Sequence, residues 1–161
     1  MGRFLVVVAV VLSAIVLFPS VAGAAGDWED GLRAYDAGDY PSAVQAWRRA
    51  ASAGETEAMT ALANAYLRGE GVVADPRRAA AWYRRAAERG NTVAQLNLGD
   101  MTARGVGVPT DAAEAYFWLG VAAARGNAWA AERMTEVGWN LTADQITTLQ
   151  DRVADWTPAV D

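Results

Sequence analysis

Alanine and glycine return along this chain at a fixed interval of 36 residues: Ala50, Ala86 and Ala122; Gly54, Gly90 and Gly126; Ala58, Ala94 and Ala130. The same interval relates Ala43, Ala79 and Ala115, joins Trp82 to Trp118, and joins Leu62 to Leu98. A period of roughly 20–50 residues marks a solenoid, whose units stack because no unit buries its apolar face alone. The architecture follows from that one feature. Function then has to be sought on the surface the stack displays, since a fold by itself hosts many functions.

Each unit alternates two helical stretches with glycine between them. In Asp75–Glu88 the apolar residues Ala79, Trp82, Tyr83, Ala86 and Ala87 fall at i, i+3, i+4, i+7 and i+8, one stripe of an α-helix. Asp75 is placed to cap this helix, and Pro76 suits its first position, where a missing N–H is harmless. Gly90 supplies a left-handed residue at the helix end. Asn91 caps the next helix at once, so the two must run antiparallel. That second stretch, Asn91 to Arg104, carries a core stripe at Ala94, Leu98 and Met101. The longer turn Gly105-Val106-Gly107-Val108-Pro109 repeats Gly69-Glu70-Gly71-Val72-Val73 one unit on, and Asp111 with Glu114 reads as a capping box. Alanines at facing positions let backbones approach, while Trp47, Trp82 and Trp118 are expected to fill the wider gaps.

The residues Ala79-x-x-Trp82-Tyr83-x-x-Ala86-Ala87-x-x-Gly90-x-x-x-Ala94-x-x-x-Leu98-Gly99, followed by Gly105-x-Gly107-Val108-x-x-Asp111, resemble the Sel1-like repeat, a 36-residue relative of the tetratricopeptide repeat. The resemblance covers Trp28 to Gly138. It implies an all-α fold, a right-handed superhelix of antiparallel helix pairs, and a role as protein-interaction scaffold or adaptor. The chain then divides into a secretory signal (1–24), a solenoid (25–139) and a closing helix (141–156). Within the solenoid the units are 28–54, 55–90, 91–126 and a partial unit, 127–139. Unit 28–54 has the shorter turn Gly38-Asp39-Tyr40-Pro41 and reads as a tetratricopeptide-like capping unit. The last unit lacks the glycine turn after Met134, and Thr102 and Gly138 replace the aromatic residue held by Tyr66, so looser packing is expected there. In the closing helix Thr142 and Gln145 form a capping box, and Ile146, Leu149, Val153 and Trp156 share one stripe.

The start of the chain has a different character. Met1-Gly2-Arg3 is basic, Phe4 to Phe18 is apolar and uncharged, Pro19-Ser20 breaks the run, and Ala22-Gly23-Ala24 supplies small residues. This is the layout of a secretory signal peptide cleaved after Ala24, which places the mature chain in the periplasm or outside the cell. A retained anchor is the alternative, although the run is shorter than the ~20 residues a membrane-spanning helix needs. The chain beyond Ala24 holds 13 arginines against 19 acidic residues. Such an acidic balance argues against nucleic acid and anionic lipid as partners. With no cysteine, stability has to come from stacked apolar surface.

Chemistry finds little to work with. Histidine, cysteine and lysine are all absent, removing the commonest general base, thiol nucleophiles, the usual zinc ligands and Schiff-base lysines. Ser42 and Ser52 stand beside no plausible base. The Gly-x-Gly turns recur with the repeat and are not phosphate loops. Glu29, Asp30, Asp36 and Asp39, and the pair Glu132 and Glu136, read as solvated acidic faces and not as glycosidase carboxylates. No catalytic residue, metal or cofactor is expected, and the chain reads as no enzyme.

The binding surface follows from the resemblance. Leu62 and Ala63 match the core Leu-Gly pair of the tetratricopeptide pattern, which implies that Thr60, Asn64 and Arg68 point into the concave groove. One repeat later that ridge is Leu96, Asp100 and Arg104; in the last unit it is Glu132 and Glu136 with Trp129 nearby. In the first it is Trp28, Leu32 and Asp36, with Tyr35 adjacent. Arg68 and Arg104, one repeat apart, are suited to carboxylates of an extended peptide. A protein segment is the expected partner; a cell-wall glycan stacked on Trp28, Trp129 and Tyr35 is the alternative, with membrane contact only through the signal.

Overall fold

The computed structural model describes residues 22–159; residues 1–21, which carry most of the secretory-signal reading, lie outside them. Eight helices and no strand occur among the described residues: α1 (Ala22–Asp36), α2 (Tyr40–Ser52), α3 (Thr56–Arg68), α4 (Pro76–Glu88), α5 (Thr92–Arg104), α6 (Ala112–Ala124), α7 (Ala128–Gly138) and α8 (Ala143–Ala154). The pairs α1/α2, α3/α4 and α5/α6 form successive hairpins, and each later first helix packs on the second helix before it. The result is an α–α superhelix.

The helix ends show why these boundaries hold. The Asp75 carboxylate accepts from the Arg78 amide at 3.1 Å, and the Asn91 side chain accepts from the Ala94 amide at 2.9 Å. The expected box at Asp111 is only half made. Asp111 accepts from the Glu114 amide at 2.9 Å, but its own N–H donates to the Thr102 carbonyl at 3.2 Å. The Glu114 carboxylate, with no donor to turn back to, reaches Arg84 Nη1 at 2.6 Å instead. At α8 both halves are present: the Gln145 amide donates to Thr142 Oγ1, and the Thr142 amide donates to Gln145 Oε1 at 2.8 Å.

Two glycines fasten one repeat to the next. Gly71 and Gly107 both have φ of +72°, and each lies flat on the start of the preceding second helix. A Cβ at Gly71 would overlap the Tyr40 carbonyl, and one at Gly107 would overlap the Pro76 carbonyl. Tyr40 and Pro76 are themselves one repeat apart, so the contact is the same latch made twice.

The core runs along the seam as small residues with occasional large ones. Ala43, Ala50, Ala58, Ala79, Ala86, Ala94, Ala115, Ala122 and Ala130 are fully buried, as are Leu62, Tyr83 and Leu98. Trp47 and Trp118 are buried too, but Trp82 is not the gap-filler expected of it: it is half-exposed, with the Arg85 guanidinium 4.4 Å from its ring centre. Nor is packing loose at Thr102 and Gly138. Thr102 is fully buried with its hydroxyl donating to the Leu98 carbonyl at 2.8 Å, and Gly138 is buried against the Tyr116 ring. The slack appears around Met134, where a cleft of about 300 Å³ opens between Tyr116, Gly120 and Val153.

Gln95 is the one fully buried amide in this seam among the described residues. Its Nε2 donates to the Ala87 carbonyl at 3.0 Å, but its Oε1 faces no donor. The Ala87 carbonyl also accepts from the Gly90 amide at 3.0 Å, so it does not depend on Gln95. Met59 holds the same position one repeat earlier and is equally buried. Gln95→Met is therefore expected to stabilise the protein by about 1 kcal/mol, because an unsatisfied buried acceptor is removed without orphaning its partner. Urea denaturation followed by circular dichroism checks the sign; a loss of stability would show that the amide carries more than one hydrogen bond.

The closing helix sits on α6. Leu149 is buried, and Ile146, Val153 and Trp156 are half-buried. Trp156 meets Trp118 edge-on at 6.3 Å between ring centres, with the Arg125 guanidinium 4.9 Å from its ring. Beyond α8 the chain runs back to the preceding unit, where the Ala159 amide donates to the Glu88 carbonyl at 2.8 Å and Pro158 lies against Gly90.

Candidate functional site

A cleft of about 210 Å³ lies between the first helices α1 and α3. Leu32 and Tyr35 line it from α1, Trp47 forms its floor from α2, and Ala61, Asn64 and Arg68 line it from α3, with Glu70 at the rim. Its existence traces to one small side chain. Positions 61, 97 and 133 are equivalent by the repeat and hold Ala61, Asn97 and Arg133. Between α5 and α7 Arg133 crosses the corresponding space: its Nη2 donates to Asp100 Oδ1 at 2.8 Å, and it also pairs with Glu136. Alanine at position 61 leaves the first gap open.

The walls of the cleft are closely packed. Trp47 packs against Tyr35 at 5.6 Å and against Trp28 at 6.4 Å between ring centres. Gly31 lets α1 press on the Trp47 indole, where any Cβ would overlap the ring. On the other side Asn64 is fixed from beneath: the Tyr83 hydroxyl donates to its Oδ1 at 2.6 Å. Burial pushes the Tyr83 phenol up to about 12, with the Arg68 charge opposing. Asn64 thus lines the cleft with its oxygen already engaged by Tyr83.

At the rim the Tyr35 hydroxyl donates to Glu70 Oε2 at 3.3 Å, and Arg68 Nη1 stands 3.9 Å from Glu70 Oε1. The Arg68 side chain remains 61% exposed, so its pairing with Glu70 is loose and worth well under about 1 kcal/mol. The cleft therefore joins an apolar floor to an amide, an exposed guanidinium and a carboxylate. It is shaped for a side chain with an apolar stem beside a main-chain or carboxylate group.

Of the residues the sequence points to, Tyr35, Asn64 and Arg68 converge here. Thr60 does not: it is buried, and its hydroxyl donates back to the Thr56 carbonyl at 2.9 Å. Asp100 and Arg104 lie one repeat on but are turned toward each other, 3.1 Å apart, and Asp100 is further neutralised by Arg133. Leu96 packs half-buried against the core. Glu132 and Trp129 are exposed on α7, Trp129 with 73% of its surface free. The three aromatics considered for a glycan platform share no shelf, since Trp28 and Tyr35 are packed with Trp47 on the first hairpin while Trp129 stands on α7. Glu70 and Ala61 were not singled out by the sequence. Ala61 was detectable by comparing side-chain volume at equivalent repeat positions; Glu70 sits in a turn and carries no such signal.

The model of the Sel1 repeat matches the chain twice, over residues 56–91 and 92–127. Among solved structures, a protective antigen present in uropathogenic Escherichia coli strains, displaying an SLR fold, is 32% identical with a TM-score of 0.75. That alignment covers 82% of this chain but only 30% of the antigen, so the chain spans less than a third of its length. A Sel1 repeat protein from Oxalobacter formigenes is also 32% identical, with a TM-score of 0.65, over 70% of this chain and 88% of that one. Nothing among curated proteins matches at a significant level.

Proposed function

Since the chain belongs to the Sel1 repeat family, whose members typically serve as protein-interaction scaffolds, we propose that it is an exported scaffold holding an extended segment of another protein along its first helices. The observation that carries this reading is the open cleft between α1 and α3, lined by Tyr35, Asn64 and Arg68 and closed off by Arg133 at the corresponding place further along. An aromatic–arginine rim over a preformed pocket is the composition of an interface hot spot. Because the walls are packed before any partner arrives, little ordering entropy opposes binding. The segment enters at the first hairpin, and the self-paired Asp100–Arg104–Arg133 ridge flanks it without anchoring it. Export is part of the proposal and is supported by the basic start, the apolar run Phe4–Phe18 and Ala22-Gly23-Ala24.

The test is comparative capture from a periplasmic extract. Wild type, Arg68→Ala, Ala61→Arg and Arg104→Ala are immobilised side by side. Arg68→Ala and Ala61→Arg are expected to lose the recovered partner about tenfold or more, the scale of one charge-assisted hydrogen bond. Arg104→Ala is expected to retain it. If Ala61→Arg, which fills the cleft as the last repeat does, recovers the same protein at the same level, the site is elsewhere. N-terminal sequencing of the exported chain is expected to begin at Ala25.

A further inference from the structure

A second cleft, of about 380 Å³, lies between the outer helices α2 and α4 and is walled by Val72, Val73 and Ala74 of the intervening turn. Two guanidinium groups converge in it on one phenol. Arg48 Nη2 donates to the Tyr66 oxygen at 2.9 Å and Arg78 Nη1 approaches the same oxygen at 3.5 Å. Both guanidinium carbons also lie within 6 Å of the Tyr66 ring centre, at 5.9 and 5.6 Å. Arg78 is partly balanced by Asp75, whose Oδ2 is 3.2 Å from its Nε. Among the described residues Arg48 meets no carboxylate. Like charges held this close repel unless an anion joins them.

The next repeat shows what the arrangement lacks. Arg48, Tyr66 and Arg78 correspond, 36 residues on, to Arg84, Thr102 and Glu114. There the third position is acidic, and its carboxylate sits 2.6 Å from Arg84 Nη1. The fold thus places a carboxylate opposite the first arginine in one unit, and a second arginine opposite it in the unit before. Burial acts to raise the Tyr66 phenol, but Arg78 and Arg48 outweigh it and hold the group below its ordinary value, the response expected where two guanidinium groups share only the Asp75 carboxylate. This local positive excess persists in a chain whose overall charge is −5.

We propose that Arg48, Arg78 and the Tyr66 hydroxyl form a binding site for a carboxylate side chain of a partner protein, seated as Glu114 is seated against Arg84. Val72 and the 88%-exposed Val73 form the apolar wall against which a neighbouring aliphatic side chain of the same segment packs. Two guanidinium groups and one hydroxyl match the lone pairs of a single carboxylate. Arg48 stands on α2 and Arg78 on α4, with Tyr66 reaching them from α3, and no residue is shared with the lining of the α1–α3 cleft, so each assignment can fail while the other stands.

The test uses the full chain and a capped tripeptide with glutamate between two valines, titrated while the arginine side-chain Nε–H resonances are recorded by NMR. Saturable shifts are expected at Arg48 and Arg78, with the glutamine counterpart at least tenfold weaker and the affinity falling as salt is raised. Arg78→Glu installs the residue that the next repeat carries and introduces an acidic group, which suits a helix start, so the variant is expected to fold and to lose the peptide at least tenfold. Arg68→Ala is expected to bind it unchanged. Equal shifts with the glutamate and glutamine peptides, or undiminished binding by Arg78→Glu, would overturn the site; acetate binding as tightly as the tripeptide would overturn the peptide occupant.

Discussion

Gly107→Ala is expected to lower the unfolding free energy by about 2–5 kcal/mol, a large part of the roughly 5–15 kcal/mol available to a single domain. Two effects add. A left-handed backbone at φ +72° costs any L-residue with a Cβ about 1–2 kcal/mol. The new methyl then runs into the Pro76 carbonyl and approaches the Arg77 nitrogen at 2.9 Å, both of them backbone and unable to swing aside. Overpacking of that kind costs about 1–3 kcal/mol. Gly126→Ala separates the two, because Gly126 has φ +87° but nothing within 4 Å of where the added methyl would sit. It is expected to lose only about 1–2 kcal/mol. Urea unfolding of the two variants measures the difference directly. Equal losses would mean that the latch between repeats contributes nothing beyond backbone strain.

Tyr83→Ala is the second large effect, with about 3–5 kcal/mol expected. Tyr83 is fully buried, and its removal leaves a void that helices already touching through alanines cannot close. Tyr83→Phe keeps the ring and loses only the 2.6 Å bond to Asn64, so about 1 kcal/mol is expected, because Asn64 is half-buried and water can replace the donor. The ionisation of this phenol gives an independent check. Folding raises it to about 12, so the stability that its neutral form contributes is complete below the ordinary value near 10 and is lost as the pH climbs from there toward 12. In an alkaline titration read at the phenolate absorbance, Tyr66 is expected to ionise well before Tyr83. Tyr83→Phe should remove the delayed phase. A titration in which no phenol is delayed would contradict the burial on which the larger prediction rests.

Both predictions concern contacts that the sequence shows only in part, and the division is instructive. Spacing within one helix is written in the chain, so the stripe Ala79–Tyr83–Ala86 and the caps Asp75, Asn91 and Thr142 could be read directly. The 36-residue period carried the stacking, because a residue that must face its own copy has to recur. What could not be read is which long side chain reaches across. Glu114 had a choice between its own helix start and Arg84, and the choice fell to Arg84 because the Thr102 carbonyl had already taken the Asp111 N–H. Trp82 has the same spacing as Trp118 but lies at the flank under Arg85, since the next outer helix does not cover it as Trp156 covers Trp118. Glycine in the Gly-x-Gly turns signals a turn, not that Gly71 and Gly107 seat on the repeat before.

For the candidate site, the ridge Tyr35–Asn64–Arg68 was legible as a direction in space and the depth of the pocket was not. Depth depends on a side chain being absent, and Ala61 looks like any other alanine until it is set beside Asn97 and Arg133. Thr60 was misplaced for a similar reason: a hydroxyl on the predicted face can turn back to its own helix, here to the Thr56 carbonyl.

The short stretch from Trp156 to Ala159, tied to Glu88 and Gly90, makes the two ends of the stack unlike. It works as a buckle: the last hairpin cannot peel away without also breaking its hold on the unit before. Unravelling should then start with α1 and α2 and travel in one direction only, and that is the hairpin that also forms half of the open cleft.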